Sequence, residues 1–529
     1  MGEIVKDEYQ TDYVVGQDNI RPFGLDLHAP VFPITGILVV LFVVGTLIFP
    51  EGAKSLLDGA KWDIIATFDW FFLLSANIFV VVCVALIFHP VGKIRLGGMD
   101  ARPDFSTISW FSMLFAAGMG IGLMFWAVAE PVAYYTGWYK TPFNVAANSP
   151  EAADLAMGAT MYHWGLHPWA IYAIVGLSLA FFAFNKNMPL TIRSAFFPLL
   201  KDRVWGWPGH IIDTLAVVAT IFGLATSLGF GAQQAASGLS YLFGISPGIN
   251  VQMGIIVGVT ALALISVLRG LEGGVKVLSN INMMIAAVML LFIIFAGPTM
   301  KLLETMWVTS SSYVMNIIPL SNPFGREDEA WFQGWTVFYW AWWISWSPFV
   351  GMFIARVSRG RTVREFLTAV LLIPTIITMV WMSSFGGSAL EQIQNGIGAL
   401  AENGLTEVPL ATFQMLENLP LSGIFSFVGI VLVLVFFVTS SDSGSLVIDS
   451  ITAGGKTDAP TAQRVFWVVM EGAIAAALIF GGGDDALGAI QATAISAGLP
   501  FTAILLIMTW GLLKGLTHER KLLIARGEL

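Results

Sequence analysis

Cysteine is almost missing: Cys83 is the only one in 529 residues. One thiol makes no intrachain disulfide and no thiolate metal cluster, and its place in the apolar run from Ile78 to Phe88 assigns it to lipid or core packing. Charge is scarce too. Asp, Glu, Lys and Arg are 12% of the chain, about half the share of a soluble protein, while apolar residues reach 56%. A water-soluble fold is thereby excluded. The scarcer sign is positive, with 26 Lys and Arg against 35 Asp and Glu and a net charge of −9. Its Lys/Arg clusters are short and lie between apolar segments, which excludes nucleic acid as a partner. The polar, acidic start from Met1 to Leu27 lacks the basic and apolar regions of a cleavable signal peptide and predicts a retained N-terminus. Low-complexity linkers are absent, so one polytopic domain is expected rather than several.

What is present is a series of apolar segments from Phe32 to Leu513, each long enough to cross a bilayer in contact with lipid. At about 20 residues per crossing they predict an all-α membrane protein of twelve transmembrane helices, near 32–50, 66–89, 107–129, 160–183, 211–240, 250–268, 278–297, 332–355, 364–385, 422–445, 464–481 and 485–513. When the loops are assigned to alternate sides, only Lys54, Lys61, Lys140, Lys301 and Arg326 fall opposite the remaining Lys and Arg. The positive-inside rule then places both termini in the cytoplasm. Residues 1–31 read as a cytoplasmic segment, 32–515 as the membrane domain and 516–529 as a short cytoplasmic tail. Lys301 to Pro319 alternates apolar residues with Thr and Ser, as a surface-lying amphipathic helix does. Residues 386–420, acidic and without Lys or Arg, read as an outer cap.

Two spans contain helix-breaking sequences. Ala117-Gly118-Met119-Gly120-Ile121-Gly122 leaves nearly a full turn of span three without side chains, so that it can unwind and offer the amides around Gly118, Gly120 and Gly122. Trp346-Ser347-Pro348 interrupts span eight, where proline removes a backbone hydrogen bond. Broken helices at membrane depth line cavities. The two breaks lie five spans apart, which predicts two inverted five-helix repeats, about 107–297 and 332–513, behind two accessory helices at about 32–89. Span five carries Thr220, Thr226 and Ser227, and span ten carries Thr439, Ser440, Ser441 and Ser443, in corresponding places.

Trp164, Trp169 and Tyr172 fall within about 140° of one another on a helix, and Trp340, Trp342, Trp343 and Trp346 crowd the start of the Pro348 region. Aromatic faces around a cavity bind quaternary ammonium by cation–π attraction, without the desolvation cost of a buried carboxylate. The hydroxyls beside Phe436 suit sodium, which Thr and Ser oxygens hold together with carbonyls of an unwound helix. The i, i+4 pair His163 and His167 lacks the third ligand of a zinc site. Intramembrane acids are few: Glu130, Asp442, Asp449 and Glu471, of which Glu130 and Asp449 read as span ends and Asp442 as a structural hydrogen-bond or ion-pair partner.

Gly118 to Gly122, the stretch from His163-Trp164 through His167-Pro168-Trp169-Ala170-Ile171-Tyr172, and Phe338-Tyr339-Trp340-Ala341-Trp342-Trp343-Ile344-Ser345-Trp346-Ser347-Pro348-Phe349-Val350-Gly351 together resemble the betaine/carnitine/choline transporter family, from about Pro33 to Gly515. The resemblance implies the leucine-transporter type of fold with two extra N-terminal helices, usually as a homotrimer in the cytoplasmic (inner) membrane. It implies an aromatic box of Trp164, Trp169, Tyr172 and Trp343, with Trp342 and Trp346 flanking the inner pathway. It further implies one sodium site from carbonyls of Ala116 and Met119, from Phe436, and from the hydroxyls of Thr439 and Ser440. A second would use Thr220 and Phe349, but Leu224 stands where the family has a second threonine. The arginine that replaces sodium in the family's exchangers is absent from span five, and the long charged tail of its osmosensing members is absent too.

The combined reading is a sodium symporter importing glycine betaine, a zwitterion whose carboxylate meets the amides near Gly122 while its ammonium meets the aromatic box. No cofactor is expected. Choline, carnitine and dimethylsulfoniopropionate are the alternative cargoes, with proton coupling or exchange as alternative modes. Choline carriers of the family commonly have Asp at the position of Gly122, so Gly122→Asp is expected to shift preference toward choline. A ligand-gated channel or sensor is the rival class. An enzyme is disfavoured because no nucleophile, base and oxyanion arrangement can be assembled from the spans.

Overall fold

The computed structural model describes residues 7–118, 120–270, 276–400, 405 and 407–529. Helices dominate: α1 (Val31–Ile48), α2 (Pro50–Phe88), α3 (Thr107–Gly118), α4 (Ile121–Thr136), α5 (Pro150–Trp164), α6 (Leu166–Lys186), α7 (Phe197–Leu200), α8 (Trp207–Phe243), α9 (Ile249–Gly270) and α10 (Lys276–Ala296). They continue as α11 (Thr299–Ser321), α12 (Glu329–Gly334), α13 (Thr336–Val357), α14 (Val363–Gln394), α15 (Ala411–Glu417), α16 (Ser422–Thr452), α17 (Thr461–Gly482) and α18 (Ala486–Ala525). The strands Asn19–Ile20 and Leu27–His28 pair in the N-terminal segment.

Local sequence sets the starts. Pro50 opens α2, where its missing N–H costs nothing. Ser149 caps α5 through the Ala152 amide at 3.1 Å, with Pro150 in the first turn. Thr362 and Glu365 form a reciprocal capping box on α14.

Ten segments among the described residues are long and apolar enough to cross a membrane, which makes this a multi-pass membrane protein. The broken pair α3–α4 and the tryptophan-rich α13 fall outside that set because one is divided and the other is rich in Trp and Ser, which lower its hydropathy. Both lie in the centre. α4 is buried from Ile121 to Tyr135 and α13 from Thr336 to Met352, and both are apolar or aromatic around most of their circumference, as enclosed helices are. Against α13 pack α6, α8 and α18, while α16 runs along α8. A Cβ on Gly351 would stand 2.5 Å from Val175 and one on Gly176 3.2 Å from the Gly351 carbonyl, so two glycines let α6 and α13 touch backbone to backbone. The peripheral helices turn apolar side chains outward, among them Ile37, Val81, Val257 and Phe295.

Several expectations require correction. Span eight is not interrupted: α13 runs unbroken through Pro348. The carbonyl that proline leaves without its amide partner is that of Ile344, and the Ser347 hydroxyl donates to it at 2.7 Å. The second break lies in span four, which begins ten residues earlier than expected and divides at Gly165 (φ −98°, ψ −127°) into α5 and α6. Span two is the end of a single 39-residue helix starting at Pro50. Much of the outer cap is helical, with 386–394 continuing α14 and 411–417 forming α15, and within the short tail 516–525 continue α18. The N-terminal segment lies on the protein: Asp7 pairs with Lys186 at 3.0 Å, and Tyr13 stacks on Trp205 at 4.2 Å. The amphipathic stretch is α11, with Leu303, Trp307 and Val314 exposed and Leu302 and Tyr313 buried.

Candidate functional site

Between α3, α4, α5, α6, α8, α10, α13 and α16 lies a cavity of about 630 Å³. Its first wall is the gap between α3 and α4. Gly120 is fully extended (φ −158°, ψ −175°) and caps α4 without a side chain. Leu123 N bonds the Gly120 carbonyl at 3.1 Å, so the other first-turn amides of α4 have no helical partner and carry the positive end of the helix dipole. Ala116, Gly120 and Gly122 all line the cavity. Gly118 ends α3, and Met119 lies outside the described residues. A Cβ at Gly122 would stand 2.6 Å from Trp342 and 2.9 Å from Trp164, so the indole edges occupy the space that any larger residue needs.

The second wall is aromatic. Trp164 meets Trp343 edge to face at 4.8 Å, Tyr172 meets Trp343 at 6.3 Å, and Trp342 stacks on Trp343 at 4.5 Å. Trp346 and Phe349 extend the wall, 5.3 Å apart. The break at Gly165 contributes directly: past it the helix leaves the His163 carbonyl to accept from Trp343 Nε1 at 2.9 Å, and Tyr313 Oη accepts from Leu166 N at 2.9 Å. Glycine is required there, because a Cβ would stand 2.7 Å from that hydroxyl and from the Met161 carbonyl. Trp169 departs from its expected place. It packs edge-on to Tyr172 at 5.4 Å and does not line the cavity.

The third wall is polar: Ser227 of α8, Ser279, Asn280 and Asn282 of α10, and Thr439, Ser440 and Ser443 of α16. Thr439 Oγ1 donates to the Val435 carbonyl at 3.0 Å, lies 3.2 Å from the Phe436 carbonyl and accepts from Asn282 Nδ2 at 3.4 Å. Of the expected sodium ligands, Ala116, Thr439 and Ser440 share this cavity. The second set is not assembled in the same way: Thr220 is buried and bonds its own Ala216 carbonyl at 2.6 Å, Leu224 packs against Gly444, and Phe349 faces the main cavity.

Two features escaped the sequence reading. The asparagines of α10 are polar side chains in an otherwise apolar span, a signal in their own right. Glu130 is not at a span end but fully buried beside the aromatic wall. Its Oε1 accepts from Tyr134 Oη and faces His163 Nδ1, both at 2.9 Å; its Oε2 accepts from Trp164 Nε1 at 2.6 Å and from Tyr339 Oη. The i, i+4 spacing of Glu130 and Tyr134 was the available hint. Asp449 is likewise buried and accepts from Gln463 Nε2 at 3.3 Å. Asp442 accepts from Ser266, the structural hydrogen bond expected of it, and Glu471 accepts from Ser441 at 2.8 Å. His163 and His167 bond Thr336 and Asn77 at 2.9 and 3.1 Å, and the described residues contain no cluster of three metal-ligating side chains.

Residues 30–521 match the sequence profile of the BCCT, betaine/carnitine/choline family transporter. Among similar proteins, glycine betaine transporter 1 of Vibrio parahaemolyticus is 64% identical over 512 residues, covering 97% of this chain and 98% of that protein. A glycine betaine/proline/choline/ectoine transporter of the same organism is 59% identical, covering 96% and 91%. The glycine betaine transporter OpuD of Bacillus subtilis is 44% identical, covering 90% and 92%. A chain of this architecture, matched from end to end, is a transporter and not an enzyme: it belongs to the betaine/carnitine/choline transporter family.

Proposed function

We propose that the protein imports glycine betaine, or a closely related methylated compatible solute, by sodium symport. The observation that carries this reading is the pairing of unlike walls in one cavity. Indole and phenol faces suit a trimethylammonium group, the unsatisfied amides of α4 suit a carboxylate, and the hydroxyls of Thr439 and Ser440 beside Ala116 suit sodium. Among the described residues no Asp or Glu lines the cavity, so a zwitterion, which carries its own counter-charge, suits it better than choline, whose cation would touch no carboxylate there. The names of the similar proteins support a compatible solute, and those naming proline, choline and ectoine favour a second reading in which the cavity admits several such solutes.

The same reading takes the broken α3–α4 and the enclosed α13 as the two crossings that complete twelve, arranged as two inverted repeats of five after α1 and α2. Its support is no longer a pair of matching breaks but the packing of α16 along α8, the two hydroxyl-bearing helices five spans apart. It puts both termini in the cytoplasm, a reading supported by the Lys and Arg distribution. It also takes the protein as a homotrimer of the inner membrane, for which family membership is the support.

The test is uptake of labelled glycine betaine, choline, carnitine, proline, ectoine and dimethylsulfoniopropionate into proteoliposomes, with and without an inward sodium gradient. Saturable, concentrative, sodium-dependent uptake with betaine preferred is expected. Downhill flux alone would identify a channel, and uptake indifferent to sodium would point to exchange or proton coupling.

A further inference from the structure

Glu130 lines no part of the cavity, yet it is the carboxylate nearest the aromatic wall. It is completely buried, and among the described residues no Lys or Arg pairs with it. Its surroundings are donors. Tyr134 and Tyr339 offer hydroxyls, Trp164 offers its indole N–H at 2.6 Å, and His163 presents Nδ1 at 2.9 Å while Thr336 Oγ1 lies 2.9 Å from its Nε2. With the Thr336 hydroxyl donating to Nε2, the Nδ1–H donates to Glu130, and every neighbour of the carboxyl group then gives it a hydrogen bond. Four donors on two oxygens are what a carboxylate, which only accepts, can use. One ring separates this group from the place proposed for a trimethylammonium group.

We infer that Glu130 is the remote counter-charge of the substrate's ammonium, acting through Trp164. A hydrogen bond from indole N–H to a carboxylate polarises the ring and deepens the negative potential on its face, in a medium too apolar to screen it. The cation gains attraction without touching a carboxylate, so the site recognises positive charge while keeping an aromatic surface shaped for methyl groups. Glu130 is thus a positioning residue: it also fixes the plane of Trp164 and, through His163, whose carbonyl holds Trp343 Nε1, the edge-to-face arrangement of the box.

This inference rests on the proposed substrate, and a matched pair of ligands separates the two. Glycine betaine and tert-butylacetate share a carboxylate and nearly the same shape, but only the first carries a positive centre. The dissociation constant of tert-butylacetate divided by that of glycine betaine, measured by displacement of labelled glycine betaine from purified protein, reports what the charge is worth. Glu130→Gln should lower that ratio about tenfold, through weaker binding of betaine, and should raise the KM of uptake more than it lowers kcat. Trp164→Phe, which cuts the link to the carboxylate, should lower the ratio well beyond Trp342→Phe, whose indole N–H has no hydrogen-bond partner among the described residues. Adding Glu130→Gln to Trp164→Phe should change it little further. If Glu130→Gln weakens both ligands equally, or if the two Trp→Phe variants behave alike, Glu130 is structural and the inference is wrong. If Glu130→Gln does not fold, the Trp→Phe comparison decides alone. Wild-type protein that binds no glycine betaine would instead overturn the proposed function.

Discussion

The aromatic wall and the hydroxyl wall of the cavity are built on different terms. In the first, the polar atoms of the box are held by other elements: Trp164 by Glu130 of α4, and Trp343 by a carbonyl at the α5–α6 break. Its rings are already in contact, so a cation arriving there finds a surface preorganised by the fold. In the second, Thr439 spends its hydroxyl on its own helix, at Val435 and Phe436. That bond uses the hydroxyl proton and leaves the oxygen its lone pairs for an ion. A cation at the aromatic wall would thus meet side chains held from other elements, whereas an ion at the hydroxyl wall would meet an oxygen oriented by α16 itself. Sodium and substrate can be coupled through the α3–α4 gap, because both proposed sites border it.

Substitutions can break or sharpen this contrast. Trp343→Leu keeps bulk and removes the π face at the centre of the box, so betaine affinity should fall about tenfold or more, ~1.4 kcal/mol, in a binding titration. Gly122→Ala should weaken betaine by about fivefold, because the added methyl overpacks the site at the low end of the usual ~1–3 kcal/mol. Gly122→Asp carries the same clash with both indoles, so any gain for choline must appear against a general loss of binding, which competition between the two solutes will show. At the other wall, Thr439→Ala and Ser440→Ala should each raise the sodium concentration for half-maximal uptake about threefold, the effect of one lost oxygen ligand, with expression unchanged. Trp169→Leu should cost less than about threefold, since it acts only by removing an edge contact from Tyr172. A loss from Trp169→Leu as large as that from Trp343→Leu would mean that Trp169 enters the box when substrate binds.

The membrane class and the break at Gly118 to Gly122 could be read from the chain because hydropathy and side-chain absence act locally. The site divides along the same line. Trp164 and Tyr172 announced themselves by helical spacing and the span-eight tryptophans and span-ten hydroxyls by type, while the family resemblance singled out Trp342, Trp343, Thr439 and Ser440 among these; the fold brings all six to one cavity. Pro348 misled because its effect depends on Ser347 satisfying the freed carbonyl, a detail of rotamer and not of pattern. Gly165 was passed over for the opposite reason: its break is stabilised by Tyr313, almost 150 residues away. Glu130 looked like a span end because burial of a carboxylate becomes intelligible only when Tyr134, His163, Trp164 and Tyr339 are seen around it.

That the two walls serve one transport cycle is tested most directly by following labelled glycine betaine into proteoliposomes under an inward sodium gradient, against an equal potassium gradient, for wild type and Thr439→Ala. Wild type should concentrate betaine above its external level only with sodium, and the variant should need more sodium for the same rate while binding betaine normally at saturating sodium. Equal accumulation in potassium, or a variant whose sodium dependence matches wild type, would contradict the account.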